Sequence, residues 1–234
     1  MRLVAATLGW VGYGGQIVLL LHTLGCSGTR GPALPNLFYV QQQITEYIDS
    51  DRYYEDVARV AHAAQDYLEH RVPAVSKPAI VLDIDETSLS NWPAYRANGW
   101  ARILDGGCDL QHGPCGLRTW QDMAQSKALP PTLQLAQRAK ALGAAVFFIS
   151  ARPAAYRAAT ERNLREQGYQ WDEMIILPEG ARFANAADFK APERKKITER
   201  GYTIIVNIGD QDSDLTGGFA EKTFKLPNPV YFLP

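Results

Sequence analysis

Two carboxylates one residue apart, Asp83 and Asp85 in Ala79-Ile-Val-Leu-Asp83-Ile-Asp85-Glu86-Thr87, close a short apolar run. At the end of a strand such a pair can divide labour, one carboxylate attacking an electrophile and the other moving a proton. A D-x-D at a strand–loop junction is also commonly two solvated aspartates, so the rest of the chain has to decide. Further candidates are Ser150 and Arg152 in Phe147-Phe-Ile-Ser150-Ala-Arg152, Lys190, and Asp210 and Asp214 in Gly209-Asp210-Gln-Asp-Ser-Asp214. Singly, each has an ordinary role: Ser150 a helix cap, Arg152 and Lys190 surface charges, Asp210 to Asp214 a capped turn. Jointly they form the polar set of a phosphate-handling crevice. Asp83, Asp85 and Asp210 brought together would repel at about 4 kcal/mol per pair 4 Å apart in a surface-like dielectric. A bound divalent cation removes that cost, and oxygen-only donors without Cys or His point to Mg²⁺.

These residues need elements that bring them to one edge. Ala79 to Leu82 behind Pro78 is a fully apolar run too short for a helix, as expected of a strand covered on both faces. Ala144 to Ser150, Met174 to Leu177, Thr203 to Ile208 and Thr223 to Leu226 read as further strands. Helices are predicted near Thr119 to Lys127, from Pro130 to Gly143, over Pro153 to Gln167 and over Lys190 to Arg200. Strand–helix alternation argues for an α/β fold with a doubly wound parallel sheet, whose ligand crevice lies beyond the carboxyl ends of the strands. Ahead of it, Leu37 to Arg71 carries helical periodicity broken at Asp49-Ser50-Asp51, which predicts two helices. Residues 91–117 form a long loop-rich excursion directly after the first strand, a length usually kept for a lid. Its Trp92, Tyr95 and Trp100 either stack a substrate ring or form the excursion's own small core.

The chain has 234 residues, 46% hydrophobic and 21% charged, with a formal net charge of −1, enough for one substantial core plus a lid. Without a basic run it is a poor match for a nucleic-acid polymer. Residues 1–26 are apolar with one charged residue, Arg2, and read as a secretory signal; residues 27–36, rich in Gly, Ser and Pro, read as a tether. Cys26 behind Leu24-Gly25 resembles the end of a bacterial lipoprotein signal, where the cysteine carries lipid. Ordinary cleavage nearby and an uncleaved anchor are the alternatives, and all three place residues 37–234 outside the cytoplasm. Membrane attachment is expected only through that N-terminal lipid or anchor. In such a compartment Cys108 and Cys115 are expected to pair as a local disulfide.

Four ordered motifs carry a resemblance to the haloacid dehalogenase (HAD) superfamily, specifically the acid phosphatases of class B or subfamily IIIB. They are Val81-Leu-Asp83-Ile-Asp85-Glu-Thr87-Ser-Leu-Ser-Asn91, Phe147-Phe-Ile-Ser150-Ala-Arg152, Phe189-Lys190-Ala-Pro-Glu-Arg194 and Asn207-Ile-Gly209-Asp210-Gln-Asp-Ser-Asp214-Leu215. The tail Phe224-Lys-Leu-Pro-Asn-Pro-Val-Tyr231 resembles the family as well. The resemblance implies an HAD-like fold with a cap inserted after the first strand, and a Mg²⁺-dependent phosphomonoesterase with an acidic optimum. It implies Asp83 as the nucleophile that forms an aspartyl-phosphate and Asp85 as general acid and base. Mg²⁺ is then held by Asp83, the Asp85 backbone carbonyl and Asp210, with Asp214 direct or supporting. Ser150 and Lys190 bind the phosphoryl group, and Arg152 is assigned a contact to substrate phosphate. Two other readings stand beside the hydrolase. One is a non-catalytic relative, like the storage proteins of this group that have lost the nucleophile; the other is a phosphotransferase. The small-molecule phosphomonoester itself and the oligomeric state are not specified.

Overall fold

A computed structural model describes residues 34–233. The expected signal, the expected tether up to residue 33 and Cys26, the expected lipidation position, lie outside the described residues. Two helices come first, α1 (Leu37–Asp49) and α2 (Asp51–Arg71). They are separated by Ser50, whose extended backbone breaks the helical run where the Asp-Ser-Asp cluster falls. The Asn36 side chain caps α1 by accepting from the Phe38 amide. On α2, Tyr53, Val57, Ala61, Ala64 and Leu68 are buried, a spacing of three or four that lines one face. No helix among the described residues is long and apolar enough to cross a membrane.

The sheet strands are β1 (Pro78–Leu82), β4 (Ala145–Pro153), β5 (Glu173–Leu177), β6 (Thr203–Gly209) and β7 (Lys222–Lys225). All neighbours are parallel, in the order β5-β4-β1-β6-β7. The connecting helices are α5 (Pro130–Ala141), α6 (Arg157–Glu166), α7 (Ala187–Glu199) and the short α8 (Asp212–Leu215). Alternate residues of the central strands face opposite layers, with the alternation shifted by one residue at an irregularity in β6 between Ile204 and Val206. Ile80, Leu82, Val146, Phe148, Val206 and Ile208 pack with α2 and α5, whereas Ala79, Val81, Phe147, Ile149 and Ile204 pack with Phe189 and Ile197 of α7. The α/β class and the doubly wound parallel sheet are therefore as the apolar, non-alternating strands require.

From β1 the chain moves to β4 and β5 on one side, then returns to β6 and β7 on the other. That reversal opens the crevice in which α/β sheets bind ligands. Leu82 is in register with Phe148 and Ile208. The residues that follow on β1, β4 and β6 therefore emerge at one edge.

The excursion after β1 is pinched at its base by a two-stranded antiparallel ribbon, β2 (Leu89–Ser90) against β3 (Lys127–Ala128). Between these strands lie α3 (Trp92–Ala97) and α4 (Leu117–Met123), so the excursion reaches beyond the 117 boundary expected from its glycines. The Cys108–Cys115 disulfide closes its loop. Trp92, Tyr95 and Trp100 are buried, with Trp92 edge-on to Tyr53 of α2 and Tyr95 against Tyr231 of the C-terminal tail. They form the aromatic core that seats the excursion on α2 and the tail.

Candidate active site

Asp83 follows β1 directly, and its amide donates to the Ile208 carbonyl of β6, fixing where its side chain leaves the sheet. Carboxylate oxygens of Asp83, Asp210 and Asp214 lie within 4.8 Å of one another, and all three residues are buried. Lys190, in the first turn of α7 rather than at its start, donates to Asp83 Oδ1 at 2.5 Å and Asp214 Oδ1 at 2.6 Å. Asp210 accepts from Thr87 Oγ1 on one oxygen, and from Gln211 Nε2 and Asn228 Nδ2 on the other. Gly209 allows Asp214 its place, because a Cβ there would sit 2.5 Å from Asp214 Oδ2. Arg194 is fully buried and donates to the carbonyls of Asp214, Thr216 and Gly218, bracing the loop that carries the third carboxylate.

Three carboxylates against the one ammonium that pairs with them, among the described residues, leave two negative charges if all are ionised. Burial, opposed by Lys190 and reinforced by Asp214, Asp210 and Asp85, pushes Asp83 well above the ordinary carboxylate range. Burial and the neighbouring Asp214 and Glu86 charges push Asp210 up to about 7. A deficit of two charges with oxygen-only donors fits a hard divalent cation such as Mg²⁺.

The deficit has a measurable consequence. Burial first, then Asp85, raises Glu86 to about 8. Asp83, Asp210 and Glu86 thus hold protons in the folded protein that the unfolded chain releases near pH 4. Folded pKa values above unfolded ones mean stability present at low pH and lost as pH rises through them. The paired surface carboxylates, such as Asp49 and Glu221, are held low and act only below about pH 4. In EDTA, the melting temperature is expected to fall by roughly 10 °C between pH 5 and pH 8. Mg²⁺ is expected to restore more stability at pH 8 than at pH 5. A melting temperature in EDTA that is flat or rising over that range contradicts the charge assignment.

Asp85 faces the other way from the trio. Its carboxylate accepts from Arg152 Nη2 at 2.8 Å and Nε at 3.1 Å, from Asn91 Nδ2 at 2.7 Å and from Gln121 Nε2 at 3.1 Å. Burial would raise its pKa, but the Arg152 charge and these hydrogen bonds outweigh burial and hold it below the ordinary value. Arg152, expected as a contact to substrate phosphate, is paired with Asp85 and lines the cavity beside it. It is 3% exposed, with its guanidinium committed to Asp85 and Thr160, because a buried arginine needs a carboxylate more than it needs an open site. Ser150 is buried on β4, where its hydroxyl accepts from the Arg152 amide.

Several residues around this site carried no assigned role in the sequence reading. Asn91 joins the excursion to the chemistry: besides donating to Asp85, it accepts from Trp120 Nε1 and Ser126 Oγ. Glu86, with a left-handed backbone at φ 53°, accepts from the Asn91 amide and the Tyr231 hydroxyl. Asn228 and Tyr231 belong to the tail, which also ties Leu233 to Gln211 and Ser213. The motif Asp83 to Asn91 and the tail's Asn228 and Tyr231 held the signal, since polar residues inside otherwise apolar segments must find partners once buried.

Comparisons with known proteins give the same family. Residues 36–234 match the family described as HAD superfamily, subfamily IIIB (acid phosphatase). The chain is 34% identical over 192 residues to the stem 28 kDa glycoprotein of Glycine max, covering 80% of this chain and 72% of that one. It is 30% identical over 194 residues to acid phosphatase 1 of Solanum lycopersicum, covering 81% and 73%. The class C acid phosphatase from Bacillus anthracis superposes with a TM-score of 0.63 at 22% identity, over 82% of this chain and 86% of that one, which is a likeness of fold. With a parallel sheet that gathers these carboxylates at its switch point and a family match over residues 36–234, the chain belongs to the subfamily IIIB acid phosphatases of the HAD superfamily, which are phosphoric monoester hydrolases.

Proposed function

We propose that this protein hydrolyses small phosphomonoesters through an aspartyl-phosphate on Asp83, with Mg²⁺ as cofactor, outside the cytoplasm. The observation that carries the reading is the division of the first motif. Asp83 sits in a lysine-braced trio of carboxylates, and Asp85, two residues on, is held apart by Arg152, Asn91 and Gln121. Asp83, Asp210, Asp214 and the Asp85 carbonyl would hold Mg²⁺, which when bound neutralises carboxylate and phosphoryl charge so that an anionic nucleophile can approach a phosphate dianion.

In the first step a carboxylate oxygen of Asp83 forms a bond to phosphorus as the bond to the leaving oxygen breaks, and Asp85 delivers its proton to that oxygen. In the second, water attacks the phosphorus of the aspartyl-phosphate, Asp85 accepts the water's proton, and Asp83 is regenerated with release of phosphate. Lys190 offsets charge on the nucleophile, and Ser150 donates to a phosphoryl oxygen. Because Arg152 holds Asp85 below the ordinary range, the protonated form that starts the cycle gains population only in acid, which supports an acidic optimum.

The test is phosphate release from p-nitrophenyl phosphate and a nucleoside monophosphate, with Mg²⁺ and with EDTA. Release that requires Mg²⁺ and is strongest in acid is expected. A folded, cation-binding protein that releases no phosphate overturns the hydrolase reading, and transfer to an added alcohol in preference to water replaces it with a phosphotransferase. The extracytoplasmic location rests on the N-terminal residues together with the cysteine pair in the excursion. Fractionation that leaves the protein in the cytoplasm would remove it.

A further inference from the structure

Beside Asp85 the structure holds a cavity of about 250 Å³, walled by the excursion on one side and by β4, β5 and the tail on the other. Through Arg102, Ala151, Leu177 and Leu233 it continues into a second cavity of about 480 Å³ that runs out past Phe183 and Asn185. The charges along this channel are one-sided. Its walls carry Arg102, Arg118, Arg152 and Arg182 but a single carboxylate, that of Asp85, which Arg152 already neutralises. Arg118 is paired with Asp105. Arg102, at the junction, has no carboxylate partner among the described residues, and its guanidinium lies 5.6 Å from the centre of the Tyr231 ring. Facing the same inner cavity is Tyr95, 1% exposed, whose hydroxyl lies close enough to the Arg102 guanidinium to interact with it and meets no acceptor for its own proton among the described residues. A buried phenol left unpaired is unfavourable unless something in the cavity accepts from it.

A guanidinium without a carboxylate and a phenol without an acceptor meet on a channel that starts at the proton-moving carboxylate. Resting on the phosphatase reading, we propose that this channel receives the leaving group and that Arg102 and Tyr95 form a subsite for a second anionic group on it, a carboxylate or a further phosphate. The apolar stretch from Leu104 and Leu117 to Leu177 and Leu233 then accommodates the carbon chain or ring between the two anions. The preferred substrates are phosphomonoesters that carry a second negative charge, in place of simple alkyl or aryl phosphates.

The test uses non-hydrolysable probes, so that binding is read apart from turnover. ω-Carboxyalkyl phosphonates of two to six carbons are titrated by calorimetry against alkyl phosphonates of equal length, on the full chain with Mg²⁺. At the best length the carboxylate is expected to tighten binding about tenfold, the usual worth of a charge-assisted hydrogen bond. Arg102→Gln is expected to abolish that ratio, Arg102→Lys to keep part of it, and Arg59→Gln, on the far exposed face of α2, to keep all of it. Tyr95→Phe, which keeps the ring in the core, is expected to reduce the ratio without lowering the melting temperature. No carboxylate advantage in the wild type, an advantage that survives Arg102→Gln, or no phosphonate binding at all would each overturn the subsite. The corresponding phosphates, assayed for phosphate release, read the reaction separately: carboxylate-selective binding without turnover would fail the hydrolase reading and leave the subsite standing.

Discussion

Asp83→Asn is expected to lower phosphate release by roughly ten-thousand-fold or more while leaving the fold intact. An amide oxygen is a poor nucleophile toward phosphorus, and no other carboxylate occupies the same position: Asp85 is turned to Arg152, while Asp210 is engaged by Thr87, Gln211 and Asn228. The substitution preserves shape and puts an uncharged amide in place of a crowded, buried carboxyl whose charged form is disfavoured, so the metal-free variant should melt no lower than the wild type at pH 7. That combination distinguishes loss of chemistry from loss of structure. The direct measurement is an acid quench during turnover of radiolabelled substrate. Wild type should retain label on the segment containing Asp83, and the variant none. Label on another residue, or activity above about one per cent of wild type, means that a different group attacks.

The second large effect concerns Arg152, which the structure pairs with Asp85. Arg152→Met leaves Asp85 with only Asn91 and Gln121, at an expected cost of about 3 to 5 kcal/mol if the carboxylate stays charged. In the wild type the folded pKa of Asp85 lies below its unfolded value. The pairing therefore stabilises above about pH 4 and is lost as pH falls through the folded pKa. The gap in melting temperature between wild type and variant should be widest near neutral pH, roughly 10 °C, and should close in acid. The same change frees the Asp85 pKa to rise, moving the pH optimum upward by about one unit or more. Arg152→Lys restores charge without the two-pronged contact, and should fall between the two. A destabilisation equal at every pH, or an optimum that does not move, would mean that Arg152 serves packing alone.

Much of this was decided by local sequence. The apolar runs before Asp83, Ser150 and Asp210 had to be strands buried on both faces, since no alternation offered a solvated side. Alternation of strands with helices then left few arrangements other than a parallel sheet. A parallel sheet in turn sends every strand's following residue to the same edge, so Asp83, Asp85, Ser150, Asp210 and Asp214 could be written down from order along the chain, whereas Lys190 stood out from Lys195 and Lys196 only through its match to the family's motif. What sequence could not decide is which of these charges pair. Arg152 is two residues from Ser150 and reads equally as a ligand for phosphate or as a partner for a carboxylate. Its pairing with Asp85, 67 residues away, is settled by the register of β4 against β1 and by the burial that makes an unpaired guanidinium costly. The same holds for Asn91, Gln121, Asn228 and Tyr231, polar residues that reach the site only because the excursion and the tail fold back over the sheet edge. Periodicity reports which face of an element is buried. Partners across the chain are chosen by packing, because only in the folded molecule does each buried charge meet the group that can satisfy it.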